Sequence, residues 1–213
     1  MTTILHVSCS PRGEAAESYR LSEKIISRLR EKEPASVIVR RDLGDGAIPH
    51  VDADYAVSQG GPVDVSHDGS MVISEAFVSE LESADIVVIS TPMHNLTVPS
   101  TLKAWIDHVV RARRTFNVTP AGKVGLLADR PVYIAIASGG RFSGERARQP
   151  DFLTPYLTAV LGMIGLNDLT FFSVQGTGSA PEKLAETRLR TDAELRAFFA
   201  AYDRQAAADA GAA

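Results

Sequence analysis

Residues 86–116 read IVVISTPMHNLTVPSTLKAWIDHVVRARRTF, and the unusual chemistry sits in the middle. An apolar run ends at Ser90 and a helical pattern opens at Ser100; between them lie Pro92, Met93, His94, Asn95 and Leu96. Turns in soluble proteins are mostly small and polar, so a loop with methionine, histidine and leucine has something to touch. Backbone amides beside Met93 and Leu96 offer donors next to apolar contacts, as a planar ring of mixed polarity requires. Two other loops carry complementary chemistry. SCSPRGEAAES (Ser8–Ser18) sets hydroxyls at Ser8, Ser10 and Ser18, with Arg12 and Gly13, just before a helical pattern. Free N–H groups and the positive end of that helix favour an anion. SGGRFSGE (Ser138–Glu145) has adjacent glycines, Gly139 and Gly140, that let backbone approach a flat ligand. The first loop lacks GxGxxG and GxxxxGK[ST], so it is neither a dinucleotide fingerprint nor a Walker loop, and it suits a monophosphate. Singly, such loops also cap helices or turn chains without binding anything. Together, a phosphate site, a flat slot and a glycine edge describe flavin mononucleotide (FMN).

Distant loops meet only if the fold brings them together. TILHVS (Thr3–Ser8), ASVIVR (Ala35–Arg40), DIVVIS (Asp85–Ser90), RPVYIAIA (Arg130–Ala137) and DLTFFSV (Asp168–Val174) are short β-branched runs ending in turn-formers. Continuous apolarity predicts strands covered on both faces. Between them, Leu21, Ile25, Ile26 and Leu29 recur at helical spacing within Ser18–Lys32, as do Leu102, Trp105, Ile106, Val109 and Val110 within Ser100–Arg111. Ser100 is placed to cap the second of these helices. Asp151–Met163 and Pro181–Tyr202 complete the helical set. The alternation predicts an α/β, flavodoxin-like, doubly wound five-stranded parallel sheet with helices on both faces. The loops after the first, third and fourth strands then converge at the carboxyl ends of the sheet. Residues 42–70 read as a long polar loop insertion that reaches a partner subunit's site. Residues 1–205 form a single domain, followed by a frayed tail over 206–213.

Composition bounds the classes. With 213 residues, 45% of them apolar, the chain buries a core as one domain. No run of 18 apolar residues occurs, so no membrane span is expected. The opening MTTILHVS has no basic region before its apolar run and reads as a first strand, which points to a cytoplasmic protein. Cys9 is the only cysteine, which excludes an internal disulfide. The segment 103–148 carries nine Lys/Arg and three Asp/Glu, a net +6 in a chain of net −4. A basic segment in an acidic protein suits attraction of a small anion rather than nucleic acid, and equally suits a solvated face. No HExxH or other ligand spacing points to a metal, and no GxSxG points to a hydrolase.

On these residues the sequence resembles the FMN-dependent NADH azoreductase/quinone reductase family. Pro92–Leu96 and Pro99–Asp107 match its long middle motif, as do Thr115–Phe116, Ser138–Gly140 and Pro150–Leu166. The resemblance implies that Ser10 and Ser18 bind the FMN phosphate. It implies that Met93, His94, Asn95 and Leu96 line the isoalloxazine and that Ser138, Gly139 and Gly140 hold its pyrimidine edge. It also implies NADH or NADPH as donor, a quinone or azo acceptor, and a homodimer with sites at the interface. Glu17 stands where members often carry Ser or Gln beside the phosphate, and His94 and Leu96 stand where many carry aromatics. His94 is either a proton donor to the acceptor or a lining residue. A flavodoxin-type electron carrier is the alternative to an enzyme, and a non-catalytic domain on the same fold is a third reading.

Overall fold

The computed structural model describes residues 1–60 and 69–211. In chain order the elements are β1 (Thr3–Ser8), α1 (Glu17–Lys32), β2 (Val37–Asp42), α2 (Ala53–Gly60), α3 (Ser70–Ser83), β3 (Ile86–Pro92) and α4 (Ser100–Val109). There follow β4 (Phe116–Thr119), β5 (Gly122–Gly125), β6 (Val132–Ser138), α5 (Thr154–Met163), β7 (Leu169–Gln175) and α6 (Pro181–Gly211). Five strands form one parallel sheet in the order β2-β1-β3-β6-β7, and β4 and β5 form a separate antiparallel hairpin. This is the flavodoxin-like order, whose direction reverses between β1 and β3 and so opens a crevice at their carboxyl ends.

Alternation along the strands divides the core in two. Leu5, Val7, Val87, Ile89, Ile134 and Ile136 pack with Val78 of α3, Leu102 and Trp105 of α4 and Leu157 of α5. Ile4, Val88, Tyr133, Ala135, Phe172 and Val174 face the other way, onto Leu21, Ile25, Ile26 and Leu29 of α1 and Leu195 and Phe199 of α6. Each fully buried Leu, Ile or Phe contributes roughly 1.5–3 kcal/mol, so the two layers hold the central strands fixed relative to one another.

Four expectations need correction. The 42–70 connection is not loop throughout, because Ala53–Gly60 is helical and Tyr55 of that helix donates from its hydroxyl to Asp107 O at 2.5 Å; residues 61–68 lie outside the described residues. The described part of the tail is helical rather than irregular, α6 running to Gly211, and residues 212–213 lie outside the described residues. Ser100 is not a cap: Pro99 holds that position and Ser100 is the first helical residue. Finally, Asp151 precedes α5 rather than opening it, its Oδ1 accepting the N–H groups of Leu153 and Thr154, both at 2.9 Å.

Candidate active site

The loop after β3 folds into a closed two-residue turn. His94 N–H donates to Thr97 O at 2.9 Å and Thr97 N–H returns to His94 O at 3.0 Å. The two central residues both have positive φ, Asn95 at 48° and Leu96 at 73°. That backbone normally selects Asn-Gly, and a leucine there costs about 1–2 kcal/mol. Such strain persists only where the surroundings impose it, and it collects at ligand sites. Here the turn is tied down by Phe152 N–H, which donates to Leu96 O at 3.1 Å. The N–H groups of Asn95 and Leu96 have no acceptor among the described residues. The amide of Met93, expected to be available, is not: it donates to Ala137 O at 2.8 Å, continuing the β3–β6 ladder.

The loop after β1 makes a tight approach to its helix. Gly13 N–H donates to Ser10 O at 3.0 Å, Arg12 N–H to Ser10 Oγ at 3.3 Å, and Ala16 N–H to Gly13 O at 3.1 Å. No side chain caps α1. The first helical bond runs from Arg20 N–H to Ala16 O, so the N–H groups of Glu17, Ser18 and Tyr19 have no backbone acceptor among the described residues. Ser18 is fully buried and its hydroxyl has no partner among the described residues. A buried hydroxyl left unpaired costs about 1–3 kcal/mol, which an incoming anion would recover. Gly44 backs this loop so closely that a Cβ there would lie 2.0 Å from Ser10 O. Cys9 beside it is buried, and burial, reinforced by Asp42, pushes its thiol pKa far up; it is not an activated thiolate.

The loop after β6 completes the crevice. Ser138 is buried with its Oγ 3.7 Å from Met93 Sδ, while Gly139 is exposed. Gln149 Nε2 lies 3.1 Å from both Ser138 Oγ and Met93 Sδ. A Cβ on Gly140 would meet Gln149 Oε1 at 2.2 Å, so a larger residue here would displace the Gln149 side chain from Ser138 and Met93. Gln149 escaped the sequence reading because a polar residue in a polar loop gives no signal of its own. Register aligns Ser8 with Ser90 and Pro92 with Ala137, so the loops bearing Ser10, Met93–Leu96 and Ser138–Gly140 leave neighbouring strands. His94 is exposed on this rim.

The Glu17 carboxylate turns toward α6, where it accepts from Arg188 Nε at 3.0 Å, and it also accepts from Arg20 at 3.2 Å. Burial alone would raise its pKa; pairing with Arg188 and Arg20 outweighs this and lowers it. Most cations of the basic segment hold structure together. Arg111 and Arg114 pair with Glu75, at 3.0 and 2.9 Å, and Arg114 also reaches Glu82. Arg113 and Arg130 donate to carbonyls of Gln59 and Leu81, at 3.5 and 2.8 Å. Lys103 pairs with Asp107. Lys123 rides on the hairpin over Phe116, and the hairpin docks through Gly125 against Gly165, beyond the far end of α5. Arg141 and Arg146 instead line a polar cleft of about 450 Å³ beside the glycine loop, with Arg190, Glu145 and Glu194. Among the described residues no His/Cys/Asp/Glu group could hold a metal, and no helix is long and apolar enough to cross a membrane.

An open sheet with an uncapped anion pocket and a strained, donor-bearing turn on adjacent strands defines a flavodoxin-like cofactor-binding protein. The flavodoxin-like-fold family profile matches residues 2–198, and the chain belongs to this family, within the group of FMN-dependent NADH:quinone oxidoreductases. It is 45% identical over 188 residues to FMN-dependent NADH:quinone oxidoreductase 4 of Pseudomonas fluorescens, covering 88% of this chain and 90% of that one. It is 44% identical over 190 residues to FMN-dependent NADH:quinone oxidoreductase 5 of Burkholderia lata, covering 89% and 92%. Among solved structures, the azoreductase of Bacillus anthracis superposes with a TM-score of 0.80 at 27% identity, over 93% of this chain and 99% of that one.

Proposed function

We infer that this chain is an FMN-dependent NADH:quinone oxidoreductase that also reduces azo compounds, and that it accepts NADH or NADPH. The observation that carries the reading is the orphaned Ser18 hydroxyl at an uncapped helix start, one strand away from the unclaimed amides of Asn95 and Leu96. These groups suit the two ends of one FMN: Ser10, Ser18 and the α1 N–H groups hold the phosphate, and Met93–Leu96 with Ser138–Gly140 hold the ring. FMN held there would supply two-electron redox chemistry between nicotinamide and acceptor. The chain's task is to hold donors where negative charge builds, and amides fixed by a strained turn do so without reorganising. His94, exposed on the rim, lines the acceptor's side, and solvent supplies the proton there. Exposed Val118 and Val124 on the β4–β5 hairpin, with exposed Leu126 just after it and exposed Phe152, support a homodimer that buries them.

The three loops make one slot, so nicotinamide and acceptor take turns in it. Double-reciprocal plots at several NADH concentrations are therefore expected to be parallel, with no protein partner present, and the extracted cofactor is expected to run as FMN. Intersecting plots would reject the alternating scheme, and FAD in the extract would reject the monophosphate site.

A further inference from the structure

We propose that Arg188, on α6, keeps the anion pocket at the start of α1 open by holding the Glu17 carboxylate away from it. The inference rests on the FMN phosphate reading above. Glu17 is the first residue of α1, next to Ser18. A free carboxylate there is attracted to the same unpaired N–H groups that would receive a phosphate, because a helix start favours any anion, its own acid included. It would also repel a phosphate that arrived.

The geometry shows the carboxylate diverted. Arg188 approaches with both arms of its guanidinium, Nε to Oε2 at 3.0 Å and Nη2 to Oε1, the two-point arrangement that fixes a carboxylate in direction as well as in place. Arg20 Nη1 adds a contact at 3.2 Å. The Glu17 side chain is only 14% exposed, so the pair is shielded more than an ordinary surface bridge. Arg188 is itself held in place by a second tie between the same two helices, Lys24 Nζ to Asp192 Oδ2 at 2.6 Å. With Glu17 turned to α6, the N–H groups of Glu17, Ser18 and Tyr19 and the Ser18 hydroxyl stay unclaimed. Arg188 thus acts as a positioning residue, through Glu17 rather than on the phosphate.

The test is titration of the apoprotein with FMN and with riboflavin, which lacks the phosphate. Arg188→Ala should raise the Kd for FMN about tenfold, the scale of a carboxylate a few ångströms away that only Arg20 still pairs. It should leave the Kd for riboflavin unchanged. Arg188→Gln, which keeps the bulk of the side chain on α6, should lose FMN equally. Glu17→Gln combined with Arg188→Ala should restore FMN affinity, and raised salt should shrink the single-variant loss. A bridge that merely docks α6 would lower the melting temperature while sparing the FMN-to-riboflavin ratio, and this result overturns the proposal. Failure of the double variant to recover overturns it too. A wild-type chain that binds riboflavin as tightly as FMN overturns the phosphate reading itself, whereas wild-type discrimination that survives Arg188→Ala removes only the role of Arg188.

Discussion

At the scale of single residues, position overrides chemical type. Cys9 is the chain's only thiol and stands at the mouth of the loop after β1, where a helix start would ordinarily activate it. The structure buries it completely among Val7, Leu43 and Met93, and its N–H donates to Ser90 O at 2.9 Å. Desolvation penalises the thiolate, so the residue serves packing. Cys9→Ala should retain most turnover and lose modest stability from the small void it leaves, on the order of 1 kcal/mol. A fall in kcat of about a hundredfold with cofactor still bound, roughly 2.7 kcal/mol of barrier, would mean that the thiol takes part. Leu96 teaches the converse lesson. Nothing in a leucine announces a positive φ, and only the closed turn around it reveals the strain.

Between elements, buried polar contacts decide how the layers lock. His6 of β1 is 1% exposed; its Nε2 is 2.9 Å from Ser22 Oγ on α1, and its Nδ1 accepts from Arg40 of β2 at 2.8 Å. Burial holds the imidazole pKa down at about 4, helped by Arg40 and opposed by Glu23 and Asp42. The unfolded chain therefore binds a proton that the folded one refuses. This stability is fully present above the unfolded pKa of about 6.5 and drains away as pH falls toward 4. Urea unfolding should show roughly 2–3 kcal/mol lost between pH 7.5 and 4.5 through this group. His6→Gln should flatten the slope, and an unchanged slope would show that other acids carry it. The five sheet strands and four of the helices, α1, α4, α5 and α6, were legible in the sequence because long apolar periods outweigh local noise. The helix over Ala53–Gly60 and the β4–β5 hairpin were not, since eight- and four-residue elements carry too little periodicity. The loops that meet at the crevice were readable as loops, but the partners of Glu17, Gln149 and Arg114 come from distant segments and leave no local trace.

For the whole molecule, charge placement matters more than net charge. The basic segment 103–148 does not act as one patch: Arg141 and Arg146 border the cleft by the glycine loop, while Lys123 sits on the hairpin. Reduction of sulfonated azo dyes should therefore weaken as salt rises, since screening acts over about 8 Å at physiological ionic strength. Neutral quinones should be nearly indifferent, and Arg141→Ala with Arg146→Ala should erase the contrast. Equal salt dependence for both acceptor types would leave the cleft without a steering role. The pairing of Glu17 with Arg188 spans 171 residues and has a consequence for how the protein is made. During synthesis the first strand and helix leave the ribosome early, with an acid beside their own anion pocket. The arginine that draws this acid aside arrives only when most of the chain has been translated. On the proposed role of Arg188, cofactor capture waits for α6, and a ribosome-stalled nascent chain ending before α6 would bind FMN more weakly than one that includes it.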